Sequence, residues 1–155
     1  MKKIAEYKDI EELSRLRIMQ QKDDWKELYP GKDKEFFNIT KGYLEEHLNK
    51  DVFFFIEIID NKIVATCGLQ VIKYMPQCVE SGIEGYICDV FTLKEYRKKG
   101  IQTNLIKECI KFAKENNIIE LKLSSDNPEA VRIYQRQGFE YDKLIMRKEI
   151  KNKEE

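Results

Sequence analysis

Apolar residues recur along this chain in two rhythms. In residues 9–22, Ile10, Leu13, Leu16, Arg17 and Met19 lie three or four apart, the spacing of one helix face, and Asp9 stands where an N-cap belongs. A turn at Pro30-Gly31 breaks the pattern, and a second helix is predicted over 34–49. The rhythm then changes. Residues 51–59 (DVFFFIEII) are dense in aromatic and β-branched side chains and read as a buried strand. Asp60-Asn61 fits a two-residue hairpin turn, with 62–73 as the partner strand. After a loop containing Pro76, residues 85–92 (GYICDVFT) read as another strand.

Helical spacing returns over 100–116, with Ile101, Leu105, Cys109 and Phe112 on one stripe and Lys107, Lys111 and Lys114 opposite. Residues 118–124 alternate as a strand. A short helix is predicted over 127–137, capped by Asn127, opened by Pro128 and ended by Gly138. Short strands at 3–7 and within 139–150 complete the order β-α-α-β-β-β-α-β-α-β. Hairpins come first; one strand–helix–strand crossover, parallel and right-handed, follows. The fold class is therefore α/β: a mixed, mostly antiparallel sheet with one parallel strand pair, helices on both faces and a single domain over 1–155.

Bulk composition narrows the function. The 155 residues carry 28 basic and 28 acidic side chains, for a net charge of zero. Gripping nucleic acid or an anionic membrane needs a basic surplus, so neither is expected as a partner. Cys67, Cys78, Cys88 and Cys109 have no CxxC spacing, and the single His47 is far from them in sequence. That argues against a zinc site, leaving the cysteines as small core residues in a reducing compartment. No apolar stretch approaches a signal peptide or a membrane span, so a cytoplasmic location is expected.

One stretch raises a chemical question. Residues 95–108 read EYRKKGIQTNLIKE: three cations, one glycine, then an amphipathic helix. Neither GxxxxGK[ST] nor GxGxxG is present. A strand, a short loop and a helix N-terminus nevertheless bring unpaired N–H groups and the positive end of a helix dipole to one point, where an anion fits. Gly100 would let the backbone approach such an anion closely. On the residues alone, a phosphate cradle and a solvated turn both remain open.

Two motifs carry a resemblance. Arg97-Lys98-Lys99-Gly100-Ile101-Gln102 resembles the acyl-CoA-binding pattern (Arg/Gln)-x-x-Gly-x-(Gly/Ala) of the GNAT N-acetyltransferase superfamily. Asn127, Ala130, Tyr134 and Gly138-Phe139 resemble that superfamily's second signature, one helix and one strand later. The likeness covers about residues 50–147, with the first fifty matching in layout. Gln102 departs from the pattern, which has a small residue facing the pyrophosphate; its longer side chain must turn away or make a contact of its own.

The resemblance implies an enzyme that moves an acetyl group from acetyl-CoA to a primary amine by direct attack. Pantetheine would pair with the strand end at Val90, Phe91 and Thr92. The pyrophosphate would rest on amides of Lys98, Lys99, Gly100, Ile101, Gln102 and Thr103, beside Arg97 and the motif residues Asn127, Ala130 and Tyr134. Tyr134 is the candidate general acid, since a phenol of intrinsic pKa ~10 can protonate a departing thiolate. Glu84 is the candidate base for the acceptor ammonium, with Glu57 and Asp89 as rivals. A backbone N–H near Phe91 is the candidate donor to the thioester oxygen.

The expected acceptor is a small-molecule amine, with Trp25, Tyr29 and Tyr43 as possible pocket walls and Asp23, Asp24 and Glu27 as acidic neighbours. A protein lysine or N-terminus, or a CoA-binding domain without catalysis, are the alternatives. The protein is expected as a monomer or homodimer.

Overall fold

In the computed structural model, residues 1–24, 31–78 and 80–150 are described; Trp25, Glu27 and Tyr29 lie outside them. The chain forms two compact units, Met1–Ser124 and Ser125–Glu155.

The first unit is built on a five-stranded sheet in the order β1-β2-β3-β4-β5. Its strands are β1 (Lys2–Ile4), β2 (Val52–Ile59), β3 (Lys62–Lys73), β4 (Ile83–Thr92) and β5 (Glu120–Lys122), and its helices are α1 (Ile10–Asp24), α2 (Asp33–His47) and α3 (Ile101–Glu115). The first four strands pair antiparallel, and β4 pairs with β5 in parallel across the α3 crossover. The β2–β3 hairpin turns at Asp60 and Asn61, with φ of 49° and 59°, the left-handed pair that matches strand twist.

Period-two alternation in β2 serves two cores at once. Val52, Phe54 and Ile56 join Ile10, Leu13 and Leu16 of α1 and Leu44 of α2 in one buried cluster. Phe53 and Phe55 meet Phe112 of α3, with ring centroids 4.6 Å and 5.6 Å apart. The continuous FFF run of the sequence is thus a strand covered on both faces. Leu105, Ile106 and Cys109 of α3 are fully buried.

The β3–β4 ladder slips once. Thr66 pairs with Phe91 and Gly68 with Cys88, so two steps along β3 answer three along β4. The extra residue makes a bulge, and Asp89 within it has φ of 48°.

The second unit contains α4 (Pro128–Arg136). Asn127 Oδ1 accepts the N–H groups of Glu129 at 3.0 Å and Ala130 at 3.4 Å, and Gly138 follows the helix with φ of 90°. Both ends match the sequence reading.

Three expectations need correction. Asp9 does not cap α1: it ends a single 3-10 turn, Tyr7–Asp9, where its Oδ2 accepts from Glu6 N–H and Lys3 Nζ at 2.8 Å each. Among the described residues no strand follows α4: a strand needs a ladder partner, and no described residue after Lys122 takes part in a ladder. Cys78 is exposed, whereas Cys67 and Cys109 are buried and Cys88 is partly so. Cys78 lies in the connection between β3 and β4, outside any apolar face.

Candidate active site

The C-terminal end of β4 leads through the 3-10 turn Lys94–Tyr96 into the first turn of α3. Lys98 and Gly100 have φ of 61° and 73°. Two left-handed residues so close together curl the chain, the kind of backbone turn from which anion nests are built. Asn104 is the first amide of α3 to find a backbone carbonyl, bonding Gly100 O at 3.2 Å. Among the described residues, no protein partner occupies the N–H groups of Lys98, Lys99, Gly100, Ile101, Gln102 or Thr103. A Cβ placed on Gly100 would meet nothing within 4 Å, so the space in front of this turn is open.

The basic side chains here divide the work unequally. Arg97 Nε donates to Thr92 O at 2.8 Å, and its terminal nitrogen bonds Asp23 Oδ2 at 3.0 Å. Its guanidinium also lies 5.7 Å from the centre of the Phe91 ring. Arg97 therefore braces the loop against β4 and α1. The hydrogen bond from Arg97 holds the Asp23 carboxyl below the ordinary carboxylate value, with Lys94 adding to the effect. Lys98 is exposed, and the Lys99 ammonium sits 5.2 Å from the Tyr96 ring centre.

Gln102 turns its side chain away from the open space and into the sheet. Nε2 reaches Thr66 O at 3.0 Å, Phe91 O at 2.7 Å and Thr92 Oγ1 at 2.9 Å. The obstruction that a long side chain threatened at this position does not arise. The bulge beside it is held from the other strand too: Thr66 Oγ1 donates to Asp89 O at 2.9 Å, and the Asp89 carboxylate pairs with Arg17 of α1. Val90 is half-buried, while Phe91 and Thr92 are buried.

Nearer its N-terminal end, β4 carries a polar row. Glu84 lies inside the strand, not before it, and its Oε2 receives Lys122 Nζ of β5 at 2.7 Å. That bond raises the Lys122 pKa above its ordinary value. Two residues along, on the same face, Tyr86 Oη and Ser124 Oγ are 2.7 Å apart. Gln70, opposite Tyr86 on β3, donates to Tyr43 Oη of α2 at 3.4 Å. Tyr86, Ser124, Gln70 and Lys122 escaped the sequence reading. They come from β3, β4, β5 and the segment just after it, with no motif spacing, and period-two alternation along β4 from Glu84 was the only available signal for Tyr86.

The rival bases are both engaged. Glu57 accepts the Met1 ammonium at 2.6 Å, and Asp89 faces Arg17. Two thiols, Cys67 and Cys88, are muted by their surroundings. Burial, then the Asp89 charge, pushes Cys88 up to about 12, and the hydrogen bond with Cys109 together with burial raises Cys67.

In the second unit, Asn127 caps α4, and Ala130 is half-buried in its first turn. The Tyr134 ring is buried and meets Phe139 edge-on, with centroids 6.0 Å apart.

Against known proteins, the sequence model of the acetyltransferase (GNAT) family matches residues 16–139. The chain is 29% identical over 118 residues to an N-alpha-acetyltransferase of Saccharolobus solfataricus, spanning 70% of this chain and 69% of that protein. A predicted acetyltransferase from Clostridium acetobutylicum, solved with acetyl-CoA, has a TM-score of 0.80 at 26% identity over 96% of this chain and 95% of that one. An aminoglycoside acetyltransferase from an uncultured soil metagenomic sample, in complex with sisomicin, has a TM-score of 0.70 at 15% identity over 99% and 96% of the two chains. That last likeness is one of fold alone.

Proposed function

Because this chain belongs to the acetyltransferase (GNAT) family and is an acetyl-CoA-dependent acetyltransferase, we propose that its acceptor is the α-amine at the N-terminus of a protein. We take 1–155 as one catalytic domain, since the family match runs from the first unit into the second.

The observation that carries donor binding is the curl of unengaged amides at Lys98–Thr103 in front of an open Gly100. Diphosphate oxygens suit those donors, backed by the helix dipole. Arg97 keeps the curl in place, and Lys98 and Lys99 add positive charge at its rim. Val90, Phe91 and Thr92 are the proposed main-chain partners of the pantetheine arm, with an amide near Phe91 for the thioester oxygen. Acetyl-CoA, when bound, supplies the activated acyl group.

Two observations support the acceptor reading over the small-molecule amine expected from the sequence. One is that the relative from Saccharolobus solfataricus is an N-alpha-acetyltransferase. The other is charge: Glu84 and Asp89 of β4 are each paired with a cation, Lys122 and Arg17. A polyamine or aminoglycoside carries several positive charges and gains most from spare carboxylates. A peptide N-terminus brings a single charge followed by amides, and Tyr43, Gln70 and Tyr86 offer hydroxyl and amide groups to such a chain.

Glu84 is the proposed base. One of its oxygens is held by Lys122, which fixes the carboxylate and leaves the other oxygen to take the acceptor's proton, directly or through a water. Tyr134 is the proposed acid for the leaving thiolate, with Asn127 and Ala130 shaping the start of its helix.

The test combines calorimetric binding of acetyl-CoA with free-thiol release on short peptides having free N-termini, on the same peptides N-acetylated, and on polyamines and aminoglycosides. Turnover confined to free N-termini is expected, and preferential turnover of a polyamine would overturn the acceptor reading. Tyr134→Phe is expected to bind acetyl-CoA within about twofold of wild type and to lose about tenfold or more in kcat. An unchanged rate at every pH would remove the acid role.

A further inference from the structure

We propose that Gln102 is a positioning residue that ties the first turn of α3 to the bulge between β3 and β4, so that the diphosphate cradle and the strand end for the acyl arm are held as one piece. The inference rests on the acetyl-CoA reading above and extends it to the one position where the motif departs from its family's pattern.

A register slip leaves backbone groups without ladder partners. Here Thr66 O on β3 and Phe91 O on β4 flank the slip, and a single side-chain nitrogen reaches both, at 3.0 Å and 2.7 Å. The same nitrogen reaches Thr92 Oγ1 at 2.9 Å. The orientation of the amide is fixed by these neighbours: the reverse assignment would set Oε1 against two carbonyls.

The arrangement has a cost that a space-filling residue would not bear. Gln102 Oε1 is buried without a hydrogen-bond partner among the described residues, and native proteins avoid such stranded acceptors. An apolar side chain of similar length would fill the gap without stranding an oxygen. What only the amide provides is a donor that spans both strands from the helix bearing the cradle. Two further carbonyls of β4 also accept from side chains: Asp89 O from Thr66 Oγ1, and Thr92 O from Arg97 Nε. Arg97 and Gln102 thus grip β4 from the two sides of Gly100. The backbone amides that would hold the diphosphate do not depend on the Gln102 side chain, whereas the placement of the strand end beside the thioester does.

Gln102→Met keeps the length and removes the donor. The expected result is an acetyl-CoA Kd within about threefold of wild type and a kcat about tenfold lower, since misplacing a reacting group slows chemistry more than it weakens binding. Amide hydrogen exchange should rise at Phe91–Leu93. Gln102→Lys, whose ammonium has three hydrogens for the same three acceptors, should recover most of the lost kcat. If Gln102→Met does not fold, Gln102→Gly, with the family's small residue, is read in its place.

A kcat within about twofold of wild type overturns the tether. So does a parallel loss of acetyl-CoA affinity (a raised Kd), kcat and melting temperature that Gln102→Lys fails to reverse, because that pattern belongs to a residue that only stabilises the fold. Wild type that does not bind acetyl-CoA overturns the donor reading and this inference together. Wild type that binds and turns over while Gln102→Met matches it overturns this inference alone.

Discussion

The two ends of β4 are built in opposite ways. At its C-terminal end, the groups facing the open turn are main-chain amides, shaped by left-handed residues at 98 and 100. Toward its N-terminal end, the polar groups proposed to handle the acceptor are side chains drawn from α2, β3, β4, β5 and the residue two beyond it: Tyr43, Gln70, Glu84, Tyr86, Lys122 and Ser124. A backbone cradle is tolerant of side-chain identity but intolerant of a changed φ or an added Cβ. A side-chain row is the reverse, since each hydroxyl or carboxylate can be removed with the strands intact. Donor binding should therefore fail through backbone geometry, and acceptor handling through single functional groups.

The sharpest test of that contrast is Gly100→Val. A β-branched residue at φ of 73° is strained, and its side chain fills the open space in front of the turn. Acetyl-CoA affinity is expected to fall about 100-fold, measured by calorimetry, with the melting temperature lowered by only a few degrees. A loss of less than about threefold would mean that the diphosphate does not sit at this turn.

At the other end, Glu84→Gln keeps the shape of β4 and removes the proposed proton acceptor. The expected loss is about tenfold in kcat/KM at neutral pH, with acetyl-CoA affinity unchanged. The drop should shrink as pH rises and the acceptor amine arrives already neutral. An effect independent of pH would make Glu84 a structural partner of Lys122 and nothing more.

The smallest effect belongs to the brace between them and α1. The Asp23 carboxyl lies below its ordinary value of 3.8 because of Arg97. A depressed carboxylate contributes stability that is complete above the unfolded value and is lost as pH falls through the folded one. The Asp23 side chain keeps 30% of its surface exposed and Arg97 43%, so solvent screens the pair and it contributes at the level of a surface ion pair, under ~1 kcal/mol. Asp23→Asn should lower the melting temperature by about 1–3 °C at pH 7, and the gap should close below pH 3.8. A gap that persists in acid would show that the Arg97 brace is not held through this charge.

The sequence was most informative where the proposed donor site rests on the main chain. Gly100, the cationic run before it and the amphipathic helix after it are contiguous, so their spacing survives in the sequence as a motif. Asn127, Pro128 and Gly138 were legible for the same reason, because caps and helix ends are local. Asp9 misled because an acidic residue before an apolar run suits both an N-cap and a 3-10 turn, and Lys3 from β1 decided between them. The strand predicted after α4 misled because strand propensity is local while a ladder partner is not.

By itself, then, the sequence determined the order of elements as far as α4, the burial of β2 and the run of cations and glycine before α3. All of these follow from periodicity, turn chemistry and helix polarity over short spans. Only tertiary structure decided that β4 carries a bulge at Asp89, that Arg97 serves as a brace, that Glu84 meets Lys122 and that Gln102 turns inward to join two strands. Each of those depends on which distant strand or helix lies opposite, and hydrogen bonds and ion pairs form only between groups that the fold has brought within about 3 Å of each other.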